Sequence, residues 1–196
     1  MTKLVPVTCP KCKNPVYSKD VDNVILCPTC GAMQSRDGKV DLIDYEAGAF
    51  TRPGDGEKVY LPFWKLEVSY SIMREDVKGG MISMVAHALG GNANNGVIPM
   101  MLPAFELEPL RFKELAKSLT LNAPKLTPAP LEPGVRREPC TVTLDMTDEM
   151  ADFLFVTIEA EEPGVLQSLS YELKVLARKM VYLPYYRKGN ELVPGY

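Results

Sequence analysis

Histidine and tryptophan are almost missing from this chain, which has one of each, His87 and Trp64, in 196 residues. With a single imidazole, no Ser-His-Asp or Cys-His arrangement can draw on more than His87, and a lone histidine in an apolar run is more often packed or exposed than catalytic. Long apolar stretches are also missing. No run of 18 or more apolar residues occurs, so no segment reads as a membrane span. The start, Met1-Thr2-Lys3-Leu4-Val5-Pro6-Val7-Thr8-Cys9, has neither the apolar core nor the cleavage site of a secretory leader. A cytoplasmic protein is the expectation. Neither sign of charge dominates: 22 Lys and Arg stand against 25 Asp and Glu, for a formal charge of −3. Nothing in that balance draws the chain toward phosphate backbones or anionic lipid, so nucleic acid is not the default partner. The clustered acids, Asp148-Glu149 and Glu159-Ala160-Glu161-Glu162, read as helix termini and solvated faces. No acid and base pair can be assigned among them, and the expectation is a protein that is not an enzyme.

Five cysteines are present, and four of them are spaced as two C-x-x-C pairs, Cys9/Cys12 and Cys27/Cys30, fourteen residues apart. Sulfurs at i and i+3 across a tight turn can bind one ion, and a second turn completes a tetrahedron. The turns read Cys9-Pro10-Lys11-Cys12-Lys13-Asn14-Pro15 and Cys27-Pro28-Thr29-Cys30-Gly31. Each proline fixes φ at a turn position, and Gly31 can turn the backbone so that N–H groups reach the sulfurs. Val16-Tyr17 and Val24-Ile25-Leu26 are β-prone, which predicts a hairpin running from one pair to the other, and Lys39-Val40-Asp41-Leu42-Ile43 can add a third strand.

Over residues 4 to 45 this pattern resembles the zinc ribbon superfamily. The resemblance implies that Cys9, Cys12, Cys27 and Cys30 are the ligands of one structural Zn2+ ion, and it implies no catalytic residue. Iron in a rubredoxin-like site is the competing reading, since Cys27-Pro28-Thr29-Cys30-Gly31 looks like a rubredoxin loop. The first loop departs from that pattern, with Lys13 where rubredoxins carry glycine, and the gap between the pairs is shorter. A closed site of four thiolates leaves no coordination position for substrate, and about forty residues bury too little to fold without the metal.

Beyond the ribbon the fold class is α+β. Residues 46–58 read as a linker, with three glycines, one proline and no apolar period. Residues 59–196 read as an α+β domain with an antiparallel or mixed sheet. Trp64, Leu66, Val68, Tyr70 and Ile72 alternate with polar residues along one strand, and Leu169, Tyr171, Leu173 and Val175 along another. Helices are expected over 109–120, opened by Pro109 and carrying Phe112, Leu115, Ala116 and Leu119, and from a Thr147 cap with Met150, Phe153, Leu154 and Ile158 on one face. Phe153-Leu154-Phe155-Val156 fits a buried strand equally well. Residues 122–139 hold five prolines and read as an extended crossing segment.

A short motif occurs three times, as Val59-Tyr60-Leu61-Pro62-Phe63-Trp64, Met100-Met101-Leu102-Pro103-Ala104-Phe105 and Val181-Tyr182-Leu183-Pro184-Tyr185-Tyr186. Because proline cannot donate to a ladder, each copy is expected at an edge, a bulge or a strand end. Its aromatics either line a shared groove or belong to three ordinary core strands, the reading preferred here.

Between Gly79-Gly80 and Gly90-Gly91 lies a short Met-rich segment. Met81, Met84, Val85 and Leu89 make an adaptable apolar stripe of the kind that docks on a partner protein, although packing on the chain's own core explains it as well. The run Gly90-Gly91-Asn92-Ala93-Asn94-Asn95-Gly96 lacks the Lys-Ser/Thr of a phosphate loop. Cys140 reads as a small buried apolar residue. The function that follows is a zinc-binding accessory or adaptor protein working through protein contacts. A nucleic-acid-binding ribbon, with Lys11, Lys13 and Lys19 on phosphate, and a rubredoxin-like electron carrier are the alternatives.

Overall fold

The computed structural model describes residues 7–17, 21–36, 40–74, 94–160 and 170–196. The architecture is α+β, as the sequence patterns predict. In the N-terminal part, β1 (Val7–Thr8) pairs with β2 (Pro15–Val16), while β3 (Val24–Leu26), β4 (Met33–Ser35) and β5 (Leu42–Ile43) form an antiparallel meander. Val16 faces Val7 and Leu26 faces Met33, so each cysteine turn closes its own hairpin. The expected hairpin from one cysteine pair to the other is therefore corrected. A tight C-x-x-C turn returns the chain on itself and brings its own flanks together. The third strand falls at Leu42–Ile43, against Met33 and Gln34.

The main sheet is built on two long strands, β7 (Glu57–Arg74) and β10 (Ser170–Lys188), antiparallel along almost their whole length. A third strand, β8 (Asn95–Pro103), pairs with β7 on its other side. Three short strands complete the sheet: β6 (Tyr45–Ala47) runs parallel to β10, β9 (Arg136–Arg137) parallel to β7, and β11 (Glu191–Pro194) antiparallel to β10.

Residues 46–58, read from composition as a linker, lie along the main sheet. Ala47 lies opposite Tyr182 in the sheet, Gly48 bridges Pro128, and the Phe50 ring meets Tyr60 and Tyr186 edge-on, each with centroids 5.3 Å apart. Gly54 sits against the Tyr186 ring, where a Cβ would lie 2.1 Å from Cδ2. These small residues permit close approach, which a composition count reads as looseness.

Alternation along β7 works as expected. Tyr60, Trp64, Leu66, Val68, Tyr70 and Ile72 face one core, and Val59, Leu61 and Phe63 face a second, smaller one on the opposite side of the sheet. Helix α1 (Pro109–Leu121) runs along β8 and serves both cores, with Ala116 in the first and Leu119 in the second. The Thr120 hydroxyl oxygen accepts the Met101 N–H at 3.0 Å and so covers part of the outer edge of β8.

Helix α2 (Met146–Ala160) packs on the first core through Ala151, Leu154, Phe155 and Ile158, a set at i, i+3, i+4 and i+7. Residues 153–156 are therefore helical, and the buried face includes Phe155 where the sequence suggested Phe153, which is 54% exposed. Thr147 does not cap the helix. Its N–H and hydroxyl both donate to the Leu144 carbonyl, at 3.1 and 2.6 Å, and the hydroxyl accepts Arg178 Nε.

Two of the repeated motif's three prolines, Pro62 and Pro184, lie inside β7 and β10, whose mutual ladder runs through both without a shift. Each stands at a gap in the pairing on its strand's other side, so only Pro103 meets the expectation of an edge, bulge or strand end. Pro103 ends β8. Pro62 lies within β7, where its carbonyl accepts the Ala104 N–H while the Ala104 carbonyl turns to Thr141 N–H at 2.7 Å, so no donor is required of Pro62. Pro184 stands on β10 between the end of β6 at Tyr182 and the start of β11 pairing at Tyr185. Copies one and three pair antiparallel about Leu61 and Leu183. Tyr60, Phe63, Trp64, Tyr182 and Tyr185 are all buried in the two cores, and no shared aromatic groove forms from them.

Candidate metal centre

The Sγ atoms of Cys9, Cys12, Cys27 and Cys30 all lie within 4.8 Å of one another. Cys9 and Cys30 are 3.7 Å apart and Cys12 and Cys27 3.6 Å. A tetrahedron with metal–sulfur bonds of about 2.3 Å has edges of roughly 3.8 Å, so four sulfurs at this spacing fit around one ion. Chemistry agrees with geometry: the donor set is all sulfur, and every cysteine is free of disulfides.

The two loops are built alike. Cys9 N–H donates to Asn14 O and Lys13 N–H to Cys9 O, while Cys27 N–H donates to Ala32 O and Gly31 N–H to Cys27 O. Lys13, at φ 62°, and Gly31, at φ 67°, hold equivalent left-handed positions. Lysine at position 13 thus adopts the conformation that glycine would take more readily, so its presence leaves the loop geometry intact. Burial raises the Cys27 thiol, yet N–H groups of Cys30 and Thr29, together with contacts from the Cys12 and Cys30 sulfurs, bring it down to about 6. At Cys30 the Ala32 N–H lowers the thiol, but burial and the three neighbouring sulfurs outweigh it and push that thiol up to about 11. For Cys12 the backbone contact from Asn14 leads, and its thiol is lowered. Backbone dipoles aimed at sulfur favour the thiolate that a metal requires. The ligands are packed as well as paired. Cys9 and Cys27 are buried with Val16 and Ile25 in a small cluster, and Cys12 and Cys30 lie half-buried against it.

The same module is anchored to the larger sheet. Val24 and Met33 belong to the main core with Tyr60, Trp64 and Tyr182. The Asp22 carboxylate accepts N–H groups from Val24, at 3.1 Å, and Cys140, at 3.0 Å, and Asn23 N–H donates to Cys140 O at 2.8 Å. Tyr45, on β6 of the main sheet, donates its hydroxyl to Gly31 O in the second cysteine loop. Cys140 itself is fully buried, with its thiol 3.2 Å from Val142 O, in agreement with the bland reading of that residue. The junction around Asp22 and Cys140 is missed by sequence reasoning, because a turn aspartate looks the same whether it faces water or another segment.

Other candidates fall differently. Met81, Met84, Val85, Leu89, His87 and Lys19 lie outside the described residues. Lys11 and Lys13 are exposed within the first cysteine loop. Arg136 and Arg137 are engaged in the fold, Arg136 with Glu138 at 2.9 Å and Arg137 with the Tyr182 hydroxyl at 2.8 Å. Among the described residues no helix is long and apolar enough to cross a membrane. No known protein family, curated protein or solved structure matches the chain. The fold and the cysteine cluster define an α+β protein with a zinc-ribbon-like site able to hold a metal ion.

Proposed function

We propose that this protein binds one structural zinc ion through Cys9, Cys12, Cys27 and Cys30 and acts as a non-catalytic accessory or adaptor protein through contacts with other proteins. The observation that carries the reading is the four-sulfur cluster itself, whose donors close around a single point on two equivalent loops. Four thiolates fill a tetrahedral zinc shell, leaving no position for a water nucleophile or a substrate carbonyl. The metal then acts as a folding element that shapes a surface. Cytoplasmic residence suits it, because thiolates stay reduced there.

Metal analysis of protein purified without added metal is expected to give one zinc per chain, and the protein is expected to be colourless. A red protein with thiolate-to-iron absorbance would favour the rubredoxin-like reading, which the left-handed Lys13 keeps sterically open. Affinity purification from native cells under gentle conditions is expected to recover a second polypeptide. Recovery of this chain alone would count against the adaptor role while leaving the zinc site intact.

A further inference from the structure

The β10 strand has two sides, and only one is paired along its whole length. β7 covers one side from Ser170 to Arg187. On the other, β6 reaches Met180–Tyr182 and β11 reaches Tyr185–Lys188. Among the described residues, nothing pairs with the outer edge from Ser170 to Lys179. Irregularities between Ser170 and Tyr171 and at Leu176 break the ladder and leave Tyr171–Val175 as the regular part of this edge.

Those residues read Tyr171-Glu172-Leu173-Lys174-Val175. Tyr171, Leu173 and Val175 turn toward α2 and are only half-buried against the main core, while Glu172 and Lys174 are exposed on the opposite face. We infer that this edge pairs antiparallel with the same edge of a second copy, with Leu173 opposite its own counterpart at a two-fold axis normal to the sheet. Glu172 of each copy then lies directly across from Lys174 of the other, twice by symmetry, and Tyr171 lies across from Val175.

No neighbouring register is equivalent. A shift by one residue sets the apolar face of one strand against the polar face of the other. Moving by two places Glu172 opposite Glu172 or Lys174 opposite Lys174. A lysine on an exposed edge ordinarily guards it against pairing, but here the guard is neutralised only by its own chain in this one register. The pairing would also cover Tyr171, Leu173 and Val175, which the described residues leave only half-buried.

Sedimentation equilibrium and light scattering on the zinc-loaded full chain test this. Wild type is expected to dimerise across the micromolar range. Glu172→Lys and Lys174→Glu, both at exposed positions, are each expected to weaken the dimer by roughly tenfold, since two attractive cross-strand pairs become repulsive. The double variant Glu172→Lys/Lys174→Glu is expected to regain wild-type association. Leu173→Cys is expected to form an intermolecular 173–173 disulfide under mild oxidation, because directly opposed strand positions fall within disulfide reach. A wild type that stays monomeric throughout, a double variant no better than the singles, or failure of the 173–173 cross-link would each overturn the inference. None of these outcomes depends on the metal, so zinc content is scored separately.

Discussion

Asp22 and Cys140, 118 positions apart in the chain, are joined by a carboxylate-to-amide hydrogen bond of 3.0 Å, and the Cys140 carbonyl returns the contact by accepting Asn23 N–H at 2.8 Å. Together with Val24 and Met33 in the main core, this makes the metal module a wall of the larger domain. Metal removal is therefore expected to be felt outside residues 7–36. A strong chelator should lower the melting temperature of the whole chain, by the equivalent of several kcal/mol if zinc-coupled folding behaves as in small zinc modules. Trp64 is a built-in reporter, since it is the single tryptophan, 1% exposed, and its indole N–H donates to Val142 O at 3.0 Å. Its emission should shift to the red on chelation, and the Cys140 amide should lose exchange protection in step. Loss of structure confined to 7–36, with Trp64 and Cys140 unchanged, would refute the coupling.

Lys13 offers a second test. Its φ of 62° is costly for a residue with a Cβ, by about 1 kcal/mol, and glycine removes that cost. Lys13→Gly is expected to stabilise the metal-bound module by about that amount. The mirror experiment is Gly31→Ala, where a Cβ would meet no heavy atom within 4 Å, so the loss should be conformational only and similar in size. Competition with a chromogenic chelator reads both. A weaker metal complex in Lys13→Gly would mean that the lysine side chain contributes something the backbone does not.

How much of this is legible in the sequence depends on whether a residue's neighbour is local. Both cysteine loops are readable, because ligand, proline and left-handed turn lie within five residues of one another. β7 is equally clear from its alternation. Burial of Phe155 in place of Phe153 is not, since Phe153, Leu154 and Phe155 are consecutive apolar residues and only the direction of the main core chooses among them. The pairing of residues 46–58 is hidden for another reason. Three glycines suggest a flexible connection, while Gly54 exists so that Tyr186 can lie against the backbone. Val24 and Met33 show an apolar face in the sequence but not what it meets.

Asp22 should also make stability depend on pH with an unusual sign. Burial pushes its carboxyl above the ordinary carboxylate range, more than the Cys140 and Val24 N–H groups and Arg137 pull it down. A folded value above the unfolded one means that the native state holds the proton more tightly. Stability from this group therefore rises as pH falls through the folded value, and levels off below the unfolded value. Loss of thiolate ligands works in the opposite direction over the same range, so the comparison must be with Asp22→Asn, which keeps an acceptor oxygen and cannot ionise. Denaturant titrations should show wild type gaining on Asp22→Asn as pH is lowered from neutral toward 4. Asp22→Ala leaves two N–H groups without this acceptor and should lose about 2–4 kcal/mol at neutral pH. A pH-independent difference between wild type and Asp22→Asn would show that the carboxyl is not perturbed.

The last prediction concerns Gly54, in the segment whose composition suggests looseness. A Cβ there would lie 2.1–2.6 Å from ring atoms of Tyr186. Tyr186 cannot yield easily, because its ring meets Phe50 edge-on, its hydroxyl donates to Arg52 O at 3.1 Å, and it is 7% exposed. Phe50 in turn carries the Lys58 ammonium 4.4 Å from its centroid and packs on Tyr60. Gly54→Ala is therefore expected to destabilise the protein by about 1–3 kcal/mol through displaced packing. A flexible connection would accept the same substitution with no loss, and a small gain from the reduced freedom of the unfolded chain. Thermal melts of Gly54→Ala and of the paired variant Gly54→Ala/Tyr186→Leu distinguish the two cases. If the clash is the cause, the alanine should cost much less once the ring is absent, giving a coupling well above the few tenths of a kcal/mol expected for independent sites.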